Sequence, residues 1–132
     1  MTTPRILLAD DQEEMLQAII PILRDEFNVV GTAENGARAV ELATRISPDV
    51  VVLDISMPMV NGIEAAGLLR ELGSHARVIF LTVHKDPEFV DAALSAGALG
   101  YVLKPSLGTD LVPAIWAAMQ GNIFVSPSMQ LH

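Results

Sequence analysis

The chain has 132 residues, 51% hydrophobic and 18% charged, enough apolar material for one cored domain and too much for a disordered chain. Eight Lys and Arg stand against sixteen Asp and Glu, a net charge of −8, so the surface repels a polyanion and direct nucleic-acid contact is not expected. There is no cysteine, which excludes disulfides, thiolate metal sites and a thiol nucleophile.

Short apolar runs alternate with amphipathic stretches along the chain. Ile6 to Ala9 is the first predicted strand, followed by helical spacing of Met15, Leu16, Ile19, Ile20 and Leu23. Pro21 interrupts that helix, removing a backbone donor and predicting a kink. Val29 to Ala33 reads as a second strand at a sheet edge, because Gly31 and Thr32 dilute its apolar character. A helix through Ala37, Val40, Leu42 and Ala43 leads to the buried strand Val50 to Leu53. Ile63, Ala66, Leu69 and Leu72 mark the third helix, Val78 to Leu81 the fourth strand, and Phe89, Val90, Ala93 and Leu94 the fourth helix. Leu99 to Leu103 and a helix through Leu111, Ile115, Ala118 and Met119 complete the series, with Pro113 expected in that helix's first turn.

Five βα units in alternation predict an α/β fold: a doubly wound five-stranded parallel sheet in the order 2-1-3-4-5, flavodoxin-like, with helices on both faces. Residues 1–121 form the expected domain. Residues 122–132, with Ile123-Phe124-Val125 before Ser126-Pro127-Ser128, read as a linker or tail. No apolar run approaches the ~18 residues of a membrane span, and the N-terminus lacks the pattern of a signal peptide, so a cytoplasmic protein without membrane contact is expected.

Strand one runs into Asp10 and Asp11, strand three into Asp54, strand four into Thr82 and strand five into Lys104. All carboxyl ends of a parallel sheet lie on one edge, where open α/β sheets bind ligands, so these side chains are expected to converge. Clustered carboxylates favour a hard divalent cation such as Mg2+, and aspartate is a competent nucleophile toward phosphorus. Lys104 adds positive charge and Thr82 a hydrogen bond, which together suit phosphoryl acceptance by Asp54. Taken singly, each residue has a plainer reading: a helix cap for Asp10 or Thr82, a solvated surface cation for Lys104. Their coincidence at successive strand ends carries the argument.

The acidic pair, the run Asp54-Ile55-Ser56-Met57-Pro58-Met59-Val60-Asn61-Gly62, Thr82, and Tyr101-Val102-Leu103-Lys104-Pro105 together resemble a response-regulator receiver domain of two-component signalling, over residues 5 to about 120. The resemblance implies that Asp54 accepts a phosphoryl group from a sensor histidine kinase. It also implies that Asp11, Asp54 and the main-chain carbonyl of Ser56 hold Mg2+, with Asp10 acting through water. Lys104 would contact the phosphoryl group, and the Lys104–Pro105 peptide would be cis. Beyond its own phosphoryl transfer and dephosphorylation, such a chain is not an enzyme.

Gly97-Ala98-Leu99-Gly100-Tyr101 and Gly121 to Pro127 are similar to the LuxR-type (NarL/FixJ-like) subfamily, whose output is a DNA-binding domain after a linker. A chain cut at that linker is the favoured expectation, with a homodimer compatible and a stand-alone docking or dimerisation module as the alternative. Thr82 is expected to follow the phosphoryl group and vacate space into which Tyr101 turns; the plainer reading leaves Tyr101 half-buried with its hydroxyl in water. The resemblance implies that positions two residues beyond a pocket member, here Ser56 and His84, tune phosphate lifetime; His84 reads equally as an exposed loop residue, and none of His75, His84 and His132 is expected to be a metal ligand.

Overall fold

Buried β-rich runs separated by helical stretches leave the chain one economical arrangement, a sheet covered on both faces. The computed structural model describes residues 3–129, so Met1, Thr2 and the end of the expected tail, including His132, lie outside the described residues. The elements follow in order: β1 (Arg5–Ala9), α1 (Glu13–Leu23), β2 (Asn28–Ala33), α2 (Gly36–Ile46), β3 (Val50–Leu53), α3 (Gly62–Glu71), β4 (Arg77–Thr82), α4 (Pro87–Ser95), β5 (Gly100–Leu103), α5 (Leu107–Met119) and β6 (Phe124–Val125). The sheet order is β2-β1-β3-β4-β5-β6, with every neighbouring pair parallel.

The expected order of five strands is therefore present, extended by a sixth. Two residues are too short to register as a strand in a sequence, yet Phe124 and Val125 pair with Gly100 and Tyr101. β2 occupies the opposite edge and is the least buried of the long strands, as its Gly and Thr suggested.

Alternation along each strand divides the core in two. Leu7, Val51, Phe80 and Tyr101 face one side with Ala39 and Ala43 of α2, Ala65, Ala66 and Leu69 of α3 and Ala93 of α4. Ile6, Leu8, Val52, Ile79 and Val102 face the other with Leu16, Ile19 and Leu23 of α1 and Leu111, Ile115 and Ala118 of α5. Each fully buried Leu or Ile side chain contributes about 1.5–3 kcal/mol. Helix ends are specified locally. The Asn35 side chain accepts the Arg38 N–H at the start of α2, and Asn61 and Glu64 form a reciprocal capping box at α3. Pro87 opens α4, where its missing donor is harmless.

Both internal prolines are accommodated on solvent-facing sides of their helices. Pro21 lies within α1, where the carbonyl it leaves unpaired belongs to exposed Gln17. Pro113 lies beyond the first turn of α5, deeper than expected, because the helix already begins at Leu107. Among the described residues no helix is long and apolar enough to cross a membrane.

Candidate functional site

The strand order reverses between β1 and β3, and the pocket opens at their carboxyl ends. Backbone hydrogen bonds carry the sheet register into the acidic residues: Asp10 N–H donates to the Ala33 carbonyl and Asp54 N–H to the Ala9 carbonyl, each at 3.0 Å. Asp10 and Asp54 are buried, Asp11 is exposed, and one carboxylate oxygen from each lies within 4.8 Å of the others. A cavity of about 500 Å3 is lined by Asp11, Gln12, Met15, Asp54, Ser56, Val83, Lys104 and Pro105.

Lys104 reaches into this group from the end of β5. Its Nζ lies 2.8 Å from Asp10 Oδ2 and 3.0 Å from Asp54 Oδ2, so one ammonium bridges both buried carboxylates. Asp10 Oδ1 also accepts the Gln12 N–H at 2.9 Å, and Asp54 Oδ1 the Ser56 N–H at 3.3 Å. Burial raises the Asp54 pKa above the usual carboxylate value; the Lys104 bond and charge oppose this, and the neighbouring Asp10 charge adds to it. Burial by itself would lower the Lys104 pKa, but its bonds to Asp10 and Asp54 outweigh that effect and the net direction is upward. The ammonium is therefore held charged beside a carboxyl group that is poorly solvated.

Thr82 and Tyr101 meet at His84. Thr82 Oγ1 accepts the His84 N–H at 3.2 Å, and the Tyr101 hydroxyl donates to the His84 carbonyl at 2.7 Å. Thr82 itself is fully buried at the end of β4 and is not among the residues that line the cavity. Tyr101 is fully buried. The ring therefore lies inside rather than half-buried with a wet hydroxyl, because His84 supplies the acceptor that offsets desolvation of the phenol. Burial, with the charge of Asp86 second, pushes the phenol pKa up to about 12. As Tyr101 is the sole tyrosine, ultraviolet titration is expected to give one tyrosinate transition near 12. Between the ordinary value of 10.0 and about 12 the unfolded chain releases the proton first, so this group's contribution to stability falls as pH rises through that window. A midpoint near 10 in the folded protein would contradict the buried placement.

Two contacts at the rim were not legible as interactions. Ser56 Oγ lies 2.6 Å from His84 Nε2, and the His84 ring stacks on Phe89 at 4.2 Å. Their matching offsets from Asp54 and Thr82 were the available signal, but pairing across the cavity depends on loop geometry. The expected cis peptide before Pro105 is not found: no peptide among the described residues is cis. Lys104–Ser106 instead forms a 3-10 turn leading directly into α5, and the fixed φ of proline suits that turn with a trans bond.

Gly62 explains how the loop after β3 closes on the site. A Cβ there would stand 2.1 Å from the Asp54 carbonyl oxygen, while the Gly62 N–H donates to Ile55 at 2.8 Å. Gly62→Ala is expected to destabilise the fold by about 2 kcal/mol and to displace Asp54, lowering its reactivity. Chemical denaturation together with phosphorylation assays checks both, and wild-type values in both would show the loop to be more pliable than this contact implies.

The arrangement is a cluster of three carboxylates and one bridging ammonium at the switch point of a doubly wound parallel sheet. The response regulator receiver domain family matches residues 6–115, and the chain belongs to that family. It is 34% identical over 127 residues to the transcriptional regulatory protein LnrK of Bacillus subtilis, covering 95% of this chain and 58% of LnrK. It is 39% identical over 111 residues to the chemotaxis protein CheY of Halobacterium salinarum, covering 84% of this chain and 92% of that protein. A LuxR-family two-component response regulator from Aurantimonas superposes with a TM-score of 0.92 at 34% identity, covering 98% of this chain and 94% of that one. The chain thus spans little more than half the length of LnrK.

Proposed function

We propose that this domain is a phosphorylation-dependent signalling switch, in which Asp54 takes a phosphoryl group from a phosphohistidine of a sensor histidine kinase. The observation that carries this reading is the Lys104 ammonium bridging Asp10 and Asp54 beside an open cavity at the sheet's switch point. An Asp54 carboxylate oxygen attacks phosphorus while the P–N bond breaks, and the bonding electron pair stays with the departing imidazole nitrogen. Lys104, already bonded to Asp54 at 3.0 Å, would meet the incoming phosphoryl oxygens, and the Thr82 hydroxyl at the end of β4 would add a hydrogen bond.

Three carboxylates gathered within 4.8 Å are hard oxygen donors of the kind Mg2+ takes. Asp11, Asp54 and the main-chain carbonyl of Ser56 would hold it, with Asp10 acting through water. When bound, the ion supplies positive charge against the phosphoryl oxygens. Beyond this self-modification and its hydrolysis the domain catalyses nothing.

The switch includes β6, since Phe124 and Val125 complete the sheet and Ser126 is buried against β5, so the domain runs past the expected boundary at 121, and the segment beyond leads toward an output. A DNA-binding domain of the LuxR type fits that output, since LnrK is a transcriptional regulator and this acidic domain is itself unsuited to touching DNA. The setting is cytoplasmic, without membrane contact, and a homodimer is compatible with it. Tyr101 and Thr82, both bonded to the His84 backbone, are the elements through which a phosphoryl group would be felt at α4.

Incubation with acetyl phosphate and Mg2+ is expected to add one phosphoryl group by intact mass, and chelation is expected to prevent it. Inertness under both conditions would favour the docking-module alternative, and multiple turnover of a phosphate ester would favour a hydrolase.

A further inference from the structure

The phosphoacceptor reading leaves one buried charge unused. Asp110, in the first turn of α5, is 9% exposed and has no cationic partner among the described residues. Its Oδ2 accepts the Ser126 hydroxyl at 2.8 Å, and its Oδ1 lies 3.1 Å from the Thr109 hydroxyl, whose single proton is shared with the Ser106 carbonyl at 3.2 Å. The N-terminal end of α5 also favours its negative charge. Ser126 is fully buried, and its Oγ in turn accepts the Leu103 N–H at 3.0 Å.

The direction of that chain is informative. The β5–β6 ladder includes Phe124 N–H to Leu99 and Ser126 N–H to Tyr101, each at 2.9 Å. The next donor on this side of β5 is Leu103, but the chain turns away at Pro127, and the Ser126 hydroxyl takes the place of a strand carbonyl. Leu103 immediately precedes Lys104, whose ammonium spans Asp10 and Asp54. The last backbone donor before the ammonium that bridges Asp10 and Asp54 is therefore held by a side chain from the segment that leaves α5.

We propose that Asp110 and Ser126 are positioning residues that clamp the Leu103–Lys104 end of β5 and couple the state of Lys104 to residues 124–129, where the chain leaves the domain. This rests on the phosphoacceptor reading for its signal: a phosphoryl group on Asp54 that redirects Lys104 also displaces Leu103, and through Ser126 loosens or tightens the exit segment. Coupling of this kind is reciprocal, so releasing the exit segment alters the Lys104 end of β5 as well.

Amide exchange followed by NMR tests the clamp without any phosphoryl transfer. In Ser126→Ala, protection of the Leu103 amide relative to β2 amides is expected to fall about tenfold. Asp110→Asn keeps an acceptor for the Ser126 hydroxyl and is expected to retain protection, whereas Asp110→Ala loses it, so a general packing defect is separated from loss of the bond. Lys104→Met is expected to change exchange across residues 124–129 by about fivefold or more, again relative to β2, and to have no such effect when combined with Ser126→Ala. Unchanged Leu103 protection in Ser126→Ala, or an exit segment indifferent to Lys104→Met, overturns the proposal. Phosphorylated protein, verified by mass, is expected to alter the same amides. Absence of the mass increase would instead sink the phosphoacceptor reading and leave these exchange results to decide the clamp.

Discussion

Asp54→Asn is expected to abolish phosphoryl addition from acetyl phosphate and, with divalent cations chelated, to make the domain more stable at neutral pH. The first effect follows from losing the nucleophile, since an amide oxygen does not form the acyl phosphate. The second follows from linkage. Burial raises the Asp54 pKa above its ordinary value of 3.8, despite the opposing pull of Lys104. A carboxyl whose pKa is raised by folding is protonated more readily in the folded state, so its charge costs stability once pH exceeds the ordinary carboxylate range. That cost develops as pH rises from 3.8 through the raised folded value, and is fully present above it. The advantage of the variant should therefore be largest near neutral pH and shrink on acidification. Urea denaturation of both proteins in chelator across this range measures it. A variant less stable than the wild type at neutral pH would mean that the Lys104 bond outweighs desolvation, reversing the electrostatic argument.

Much of this site is legible in the sequence because a parallel sheet turns strand ends into neighbours. Asp10, Asp54, Thr82 and Lys104 each terminate a short apolar run, and once the runs are recognised as parallel strands their convergence is a matter of topology. What the sequence did not disclose depends on tertiary detail at the ends of elements. β6 is two residues long and exists because β5 offers an unpaired edge. The trans bond before Pro105 reflects the 3-10 turn that links β5 to α5. The inward Tyr101 depends on where the His84 carbonyl points, and Asp110 looks like an ordinary first-turn acid until Ser126 folds back over it. Hydrophobic periodicity specifies layers and faces, whereas these features depend on which polar atom in a loop finds which partner.

Removing Lys104 should have the largest effect on stability. Lys104→Met keeps the length and apolar stem of the side chain but deletes the ammonium that bridges Asp10 and Asp54, both nearly inaccessible to solvent. Two buried carboxylates, with Asp11 close by, then face one another without compensation. Loss of one partner from a buried ion pair costs about 3 kcal/mol, and that is the destabilisation expected in chelator at neutral pH. Mg2+ should reverse much of it. In the wild type Lys104 competes with a cation for the oxygens of Asp10 and Asp54; without it that competition is gone, so the variant should bind Mg2+ more tightly. Ligand binding to the folded state adds RT ln(1 + [Mg2+]/Kd), so tighter binding makes the Mg2+-induced rise in Tm larger for Lys104→Met than for wild type. Thermal denaturation at several Mg2+ concentrations compares the two directly. Equal or smaller shifts in the variant would show that the cation does not share its oxygens with Lys104, and would move the metal away from the buried pair toward the exposed side of Asp11.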